Sequence, residues 1–271
     1  MNKKFDLTGL FRIAVLLGLF LSMTAIAHAN NFFAAYNGVQ QGVTVRTLNL
    51  QQVSFIQTPH AVNGIAAGPN NDLYMVCKNH IYNYSVNGEL IRDMNFPDAG
   101  VNYTDISVRG NRVYTSYNGS QQGFTVRDLA LNQLAFVPTS FSINGIAAGT
   151  NNDLYLASGN KLYRYANNGT LLKVMTFPDT GIVYTDLAVT CNRLLASYTG
   201  SQRGVTVRDL VTLNQHTFIP LPFEIGGVVG GSDNDMYVST NNHLYNYSLA
   251  GVQIQGFTWP QTDLVYGDLT R

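Results

Sequence analysis

A passage of 22 residues is written three times in this chain: NGIAAGPNNDLYMVCKNHIYNY from Asn63, NGIAAGTNNDLYLASGNKLYRY from Asn144, and a looser copy, GGVVGGSDNDMYVSTNNHLYNY, from Gly226. The copies are about 81 residues apart, and repetition at a fixed period is the signature of an array of like units. The unit also spans YNGVQQGVTVR, YNGSQQGFTVR and YTGSQRGVTVR, which begin at Tyr36, Tyr117 and Tyr198. It closes on NFPDAGVNYTD, TFPDTGIVYTD and TWPQTDLVYGD.

The unit is itself double. The stretch GIAAGPNNDLYMVCKNHIYNYSVNGELIRDM aligns with DISVRGNRVYTSYNGSQQGFTVRDLALNQLAFV, and each holds four short apolar runs separated by Gly and Asn turns. Runs rich in Val, Ile, Tyr and Phe between such turns read as strands. Four strands in about 40 residues is the size of one propeller blade. The sequence therefore predicts an all-β fold, a six-bladed β-propeller of four-stranded antiparallel blades, as one domain over residues 30–271. With strands A to D counted outward from the axis, blades two to six begin at Asn63, Thr104, Asn144, Thr185 and Gly226.

The ends of the chain agree with this count. Residues 31–57 supply strands B, C and D of blade one, as FFAAY, VTVRTL and VSFIQ, and YGDLTR at the C-terminus supplies the missing strand A. Pairing the C-terminal strand with the N-terminal blade closes the ring and removes two open sheet edges.

Residues 1–29 are set apart as a signal peptide. Lys3, Lys4 and Arg12 precede the apolar run IAVLLGLFLSMTAIA, and Ala27-His28-Ala29 offers a small-residue cleavage triplet. That order of features marks a secretory leader. It predicts an exported, periplasmic or extracellular protein with no stable membrane insertion once the leader is gone. The remainder carries 13 Lys and Arg against 15 Asp and Glu, so it has no electrostatic footprint for nucleic acid.

The even blades carry a recognisable pattern: Gly64-Ile65-Ala66, then Asp72-Leu73-Tyr74, Asn79-His80-Ile81 and Gly88, with Asn242-His243-Leu244 in the third copy. This resembles the NHL-repeat blade, which implies a propeller and little about activity, because one fold hosts many functions. A WD40 reading fits less well: Trp259 is the only Trp, and no Trp-Asp pair occurs.

On the ring, Cys77 falls in strand B of blade two and Cys191 in the A–B turn of blade five. Those blades are opposite each other, so two free thiols are expected. The residues opening the A strands face the channel and read Asp268, Asn63, Asp105, Asn144, Asp186 and Gly226. Three carboxylates and two amides could hold a hard cation such as Ca²⁺, although Asn and Asp commonly bond the backbone of their own loops instead. The ring is similar in outline to six-bladed lactonase-like enzymes, which place Glu, Asn and Asp around a channel calcium. No Glu stands in this one.

Departures from the repeat are the sharper signals. Glu224 replaces Ala61 and Ser142, while Gly226 replaces Asn63 and Asn144 and is expected to open space beside it. Glu224 is thus a candidate acid/base or metal ligand, and His60, standing where Phe141 and Phe223 stand, is a weaker one. Tyr36, Tyr117 and Tyr198, with Gln121 and Gln122, are candidate ligand-binding residues, since aromatic faces beside amides suit sugars. The same tyrosines could instead pack between blades over tight Asn-Gly turns. The NND turns at Asn70 and Asn151, and the matching turn at Asp233, lack an EF-hand loop and read as hairpin turns. His80 and His243 lose their third equivalent to Lys161. No nucleophile elbow, P-loop or zinc-protease motif is present.

Three functions fit: a non-enzymatic binding or scaffold propeller recognising a protein or glycan through its loop-bearing face, a cation-dependent hydrolase or lactonase at the channel mouth, and a structural component of an envelope assembly.

Overall fold

The structure is a computed structural model and describes residues 31–271 apart from 39, 99, 151, 261, 262 and 264. The signal-peptide reading falls outside the described residues. Phe32–Arg271 form one compact unit. Among the described residues no helix is long and apolar enough to cross a membrane.

Among the described residues, twenty-four strands form six four-stranded antiparallel sheets. Blade one holds β1 (Asn31–Asn37), β2 (Gly42–Thr47) and β3 (Gln52–Gln57). Blade two follows with β4 (Gly64–Ala67), β5 (Asp72–Cys77), β6 (His80–Ser85) and β7 (Leu90–Asn95). Blade three is β8 (Val101–Arg109), β9 (Arg112–Gly119), β10 (Gly123–Arg127) and β11 (Gln133–Pro138). Blade four is β12 (Gly145–Ala148), β13 (Leu154–Ser158), β14 (Lys161–Tyr165) and β15 (Leu171–Thr176). Blade five is β16 (Ile182–Thr190), β17 (Arg193–Gly200), β18 (Gly204–Asp209) and β19 (Gln215–Pro220). Blade six is β20 (Gly227–Gly230), β21 (Asp235–Thr240), β22 (His243–Ser248) and β23 (Gln253–Thr258). The last strand, β24 (Val265–Thr270), returns to blade one and pairs antiparallel with β1. The ring is closed as the sequence predicts.

The core is six wedges, each filling a gap between neighbouring blades. In β5, Leu73, Met75 and Cys77 pack toward blade one, whereas Tyr74 and Val76 pack toward blade three. Both faces of the inner strands are therefore covered, which is why they read as unbroken apolar runs and not as alternating ones. The outer strands β7, β15 and β23 are mostly exposed.

Two boundaries differ from the sequence reading. Strand A of blades three and five begins at Val101 and Ile182, three residues before Thr104 and Thr185. The cause is a β-bulge in each, where the pairing register shifts between Tyr103 and Asp105 and between Tyr184 and Asp186. The same irregularity recurs where β24 meets β1.

Candidate functional site

The bulge builds the centre of the molecule. Thr104 is the extra residue, and its hydroxyl bonds Ser116 at 2.8 Å, as Thr185 bonds Ser197 at 2.9 Å. A bulge bends the strand and re-aims the next side chain. Here the re-aimed residues are Asp105, Asp186 and, in β24, Asp268. All three are buried, and each offers an oxygen within 4.8 Å of the others. The sequence-predicted ring thus converges: Asn63, Asn144 and Gly226 lie with the aspartates around one small cavity on the axis. A second cavity, of about 150 Å³, continues along the channel toward Ser107, Arg109 and Thr270.

Each carboxylate joins two blades. Asp105 accepts from its neighbour Ile106 N–H at 2.7 Å and from Ile146 N–H of blade four at 2.6 Å. Asp186 accepts from Leu187 and from Val228 of blade six at 2.7 and 2.6 Å. Asp268 does the same with Leu269 and with Ile65 of blade two. The amides link the alternate gaps: Asn63 donates to Tyr103 O at 2.7 Å and Asn144 to Tyr184 O at 2.9 Å. The reading that these side chains bond nearby backbone holds for the carboxylates, which accept from Ile106, Leu187 and Leu269, but each carboxylate and amide also reaches a neighbouring blade. They are staples across the blades.

The sixth gap is closed differently. A Cβ on Gly226 would lie 2.4 Å from the Tyr266 carbonyl oxygen, so Gly226 opens no space; the returning C-terminal strand fills it. The Ser239 hydroxyl supplies the missing link by donating to Gly267 O.

Burial pushes Asp186 up to about 7. It raises Asp105 and Asp268 well above the carboxylate range, with the neighbouring Asp charges adding to it. Three carboxyls this close cannot all ionise without a cation. The centre can therefore hold shared protons or bind a hard cation.

The other candidates lie elsewhere. Glu224 is not on the channel: its side chain is 71% exposed and stands 3.8 Å from Arg203, which replaces Gln122 of the second copy. Two departures from the repeat thus compensate one another, in the place where Gln122 reaches Ser142. His60 lies beside His80, ring centroids 5.7 Å apart, where Phe141 and Phe223 stack on Tyr163 and Tyr245. Tyr36, Tyr117 and Tyr198 are buried between blades, and Tyr117 stacks on Phe136 at 5.6 Å. Their rings present no face to solvent, whereas Gln121 is exposed and Gln122 half-buried on the adjoining loop. Both cysteines are free, Cys77 buried and Cys191 exposed.

A second threefold set was missed by reading the sequence. Arg46, Arg127 and Arg208 end the repeated VTVR or FTVR run and are buried, and among the described residues none of them pairs with an acid. Arg127 donates to Leu131 O at 2.9 Å and to Tyr103 Oη at 3.3 Å, and Arg208 makes the same pair with Leu213 O and Tyr184 Oη. Leu50, Leu131 and Leu213 all have positive φ, a left-handed turn that presents the carbonyl to the guanidinium. The signal was an Arg at one position in all three copies.

Among solved structures, the chain is similar to a protein of unknown function from Bacteroides caccae, with a TM-score of 0.70 at 9% identity over 89% of this chain and 98% of that one. It is also similar to a chain of a nidogen/laminin complex, with a TM-score of 0.74 at 12% identity over 89% and 97% of the two chains. The WD40 β-propeller domain of Doa1 matches with a TM-score of 0.64 at 11% identity over 88% of each. The chain is a six-bladed β-propeller. No protein-family model and no curated protein matches it, so the NHL likeness remains one of motif. At these identities the likeness shows the fold alone.

Proposed function

We propose that this propeller is an exported, non-enzymatic binding module that recognises a protein partner through the face carrying the B–C and D–A loops. The observation that carries the reading is that in two blades a D–A loop is hydrogen-bonded to the adjoining B–C loop. Asp98, on the D–A loop, accepts from Ser120 of the B–C loop at 2.5 Å and from Gly100 N–H at 2.8 Å. Asp179, Ser201 and Gly181 repeat the arrangement in the next copy. The Ser120 and Ser201 hydroxyls hold the two carboxyls below their usual range. Loops ordered before contact lose less entropy on binding. A similar structure comes from a nidogen/laminin complex, which is consistent with a protein ligand here. The test is affinity capture from the source organism's envelope fraction with wild type and with Gln121→Glu and Ser120→Ala. A partner retained by wild type and lost with the loop variants supports the reading; capture indifferent to them overturns it. Export is tested by N-terminal sequencing of the mature protein, expected to begin at Asn30.

A second reading is favoured by the convergence of Asp105, Asp186 and Asp268 within 4.8 Å. In it, the three carboxylates hold Ca²⁺ on the axis, with the Asn63 and Asn144 amide oxygens nearby. Calcium prefers six to eight oxygens, so water would complete the shell. Metal analysis of protein purified with calcium decides it, with Asp105→Ala as the variant that must lose the ion.

A further inference from the structure

Blade four contains a filled site that blade two leaves open. In blade four, Arg164 of β14 lies over Asp153, its Nε donating to Oδ2 at 2.8 Å and a terminal nitrogen approaching the same oxygen at 2.6 Å. Its other terminal nitrogen donates to Val211 O, in the C–D turn of blade five, at 3.1 Å. The repeat-equivalent residues of blade two are Asn83 and Asp72.

Asn83 is too short to reproduce this. Its Nδ2 donates to Asp72 Oδ2 at 2.7 Å, the amide's N–H side facing the carboxylate because a carboxylate only accepts. Asp72 Oδ1 and Asn83 Oδ1 are left with no hydrogen-bond partner, although the residues are only 8% and 2% exposed. A cavity of about 260 Å³ opens there, lined also by Tyr74, Arg92 and Leu129. The surrounding frame is the same in both copies: Tyr74 Oη donates to Leu129 O, and Tyr155 Oη to Leu210 O, each at 2.9 Å. Blade six is not equivalent, because there Asp235 Oδ1 is taken by Asp233 N–H at 3.2 Å and only Asn246 Oδ1 is unpartnered.

We infer that the pocket between blades two and three binds a guanidinium group. Two buried acceptors without donors are costly, and a guanidinium presents five N–H donors in a planar fork that satisfies them together. The chain itself places such a group beside the matching aspartate: Arg164 bonds Asp153 Oδ2, the oxygen that Asn83 occupies in blade two, which leaves Asp72 Oδ1 and Asn83 Oδ1 for an incoming guanidinium. The A–B turn bearing the pocket lies on the face opposite the B–C and D–A loops, so the inference goes beyond the proposed function. The group could come from a free guanidino compound or from an arginine side chain of a protein.

The test is calorimetric titration of the folded protein with agmatine and, separately, with a short peptide holding one arginine, against the same peptide holding citrulline. Saturable binding of either cationic probe and none of the citrulline peptide is expected; agmatine alone points to a small molecule, the arginine peptide alone to a protein. Asp72→Asn should weaken binding about tenfold or more, the worth of one charge-assisted hydrogen bond. The decisive variant is Asn83→Arg, which rebuilds the blade-four arrangement. It should abolish binding and raise the melting temperature. Binding undiminished by Asn83→Arg, equal binding of citrulline, or no saturable binding of either cationic probe would overturn the inference.

Discussion

The carboxylate of Asp186 accepts the Val228 N–H at 2.6 Å across the gap between blades five and six. The side chain sits at the axis only because Thr185 is bulged out of the pairing before it. One inserted residue thus turns a strand into a fastener between blades, and Asp105 and Asp268 repeat it. Burying the three carboxyls on one axis raises their proton affinity, and the charges of neighbouring aspartates add to it at Asp105 and Asp268.

That affinity has a pH consequence. A carboxyl in an unfolded chain titrates near 3.9, whereas Asp186 is pushed up to about 7 and its two partners are raised well above the usual range. Between those values the native state keeps protons that the unfolded chain has released, so stability falls as pH rises. The contribution is complete below about pH 4 and is lost as pH climbs through about 7. Asp98 and Asp179, whose values are lowered, titrate beneath this window. In buffer containing a chelator, the melting temperature should drop from about pH 5 to about pH 8, and Asp186→Asn should flatten the slope. A rise over that interval would contradict the raised carboxyls.

Removing β24 should be catastrophic. The strand carries Tyr266 and Asp268 and supplies strand A of blade one. Its loss leaves Arg46 without the Tyr266 hydroxyl at 2.7 Å and leaves β1 as an open inner edge. A chain ending at Leu264 is expected to show no cooperative thermal transition by circular dichroism. A normal transition would mean the ring does not depend on its two tails.

The buried arginines should matter more than any surface charge. Arg127→Met leaves Leu131 O, Tyr103 Oη and Thr125 Oγ1 without their donors. The expected loss is about 2–4 kcal/mol in denaturant unfolding, against less than about 0.5 kcal/mol for exposed Arg112→Met. Equal effects would show that the guanidinium contributes only packing.

The thiols should separate cleanly. Burial pushes Cys77 up to about 12, while Cys191 is exposed in a turn. A thiol reagent should modify one cysteine per native chain and two after denaturation, with Cys191→Ser removing the native reaction. Two native reactive thiols would place Cys77 at the surface.

Much of this was legible in the residues. Fixed-period copies and their Gly and Asn turns predict the blades, because strand period and turn chemistry are local properties. The aspartates could be placed on the axis by counting blades. Their bonding could not, since the bulge depends on how β8 and β16 pair with β9 and β17. Glu224 looked singular because its partner Arg203 is a second, separate departure from the repeat 21 positions away. The tyrosines of the Asn-Gly loops drew a ligand reading because sequence does not tell which face of a strand meets the next blade. The buried arginines were passed over because Arg is ordinarily a surface residue.

By itself the sequence determined the number of blades, their strand order and the closure by the two ends, since repetition and alternating turns carry that information locally. Only the tertiary structure decided which polar side chains are fasteners and which are free, because that depends on acceptors and donors brought together from strands some 40 to 200 positions apart.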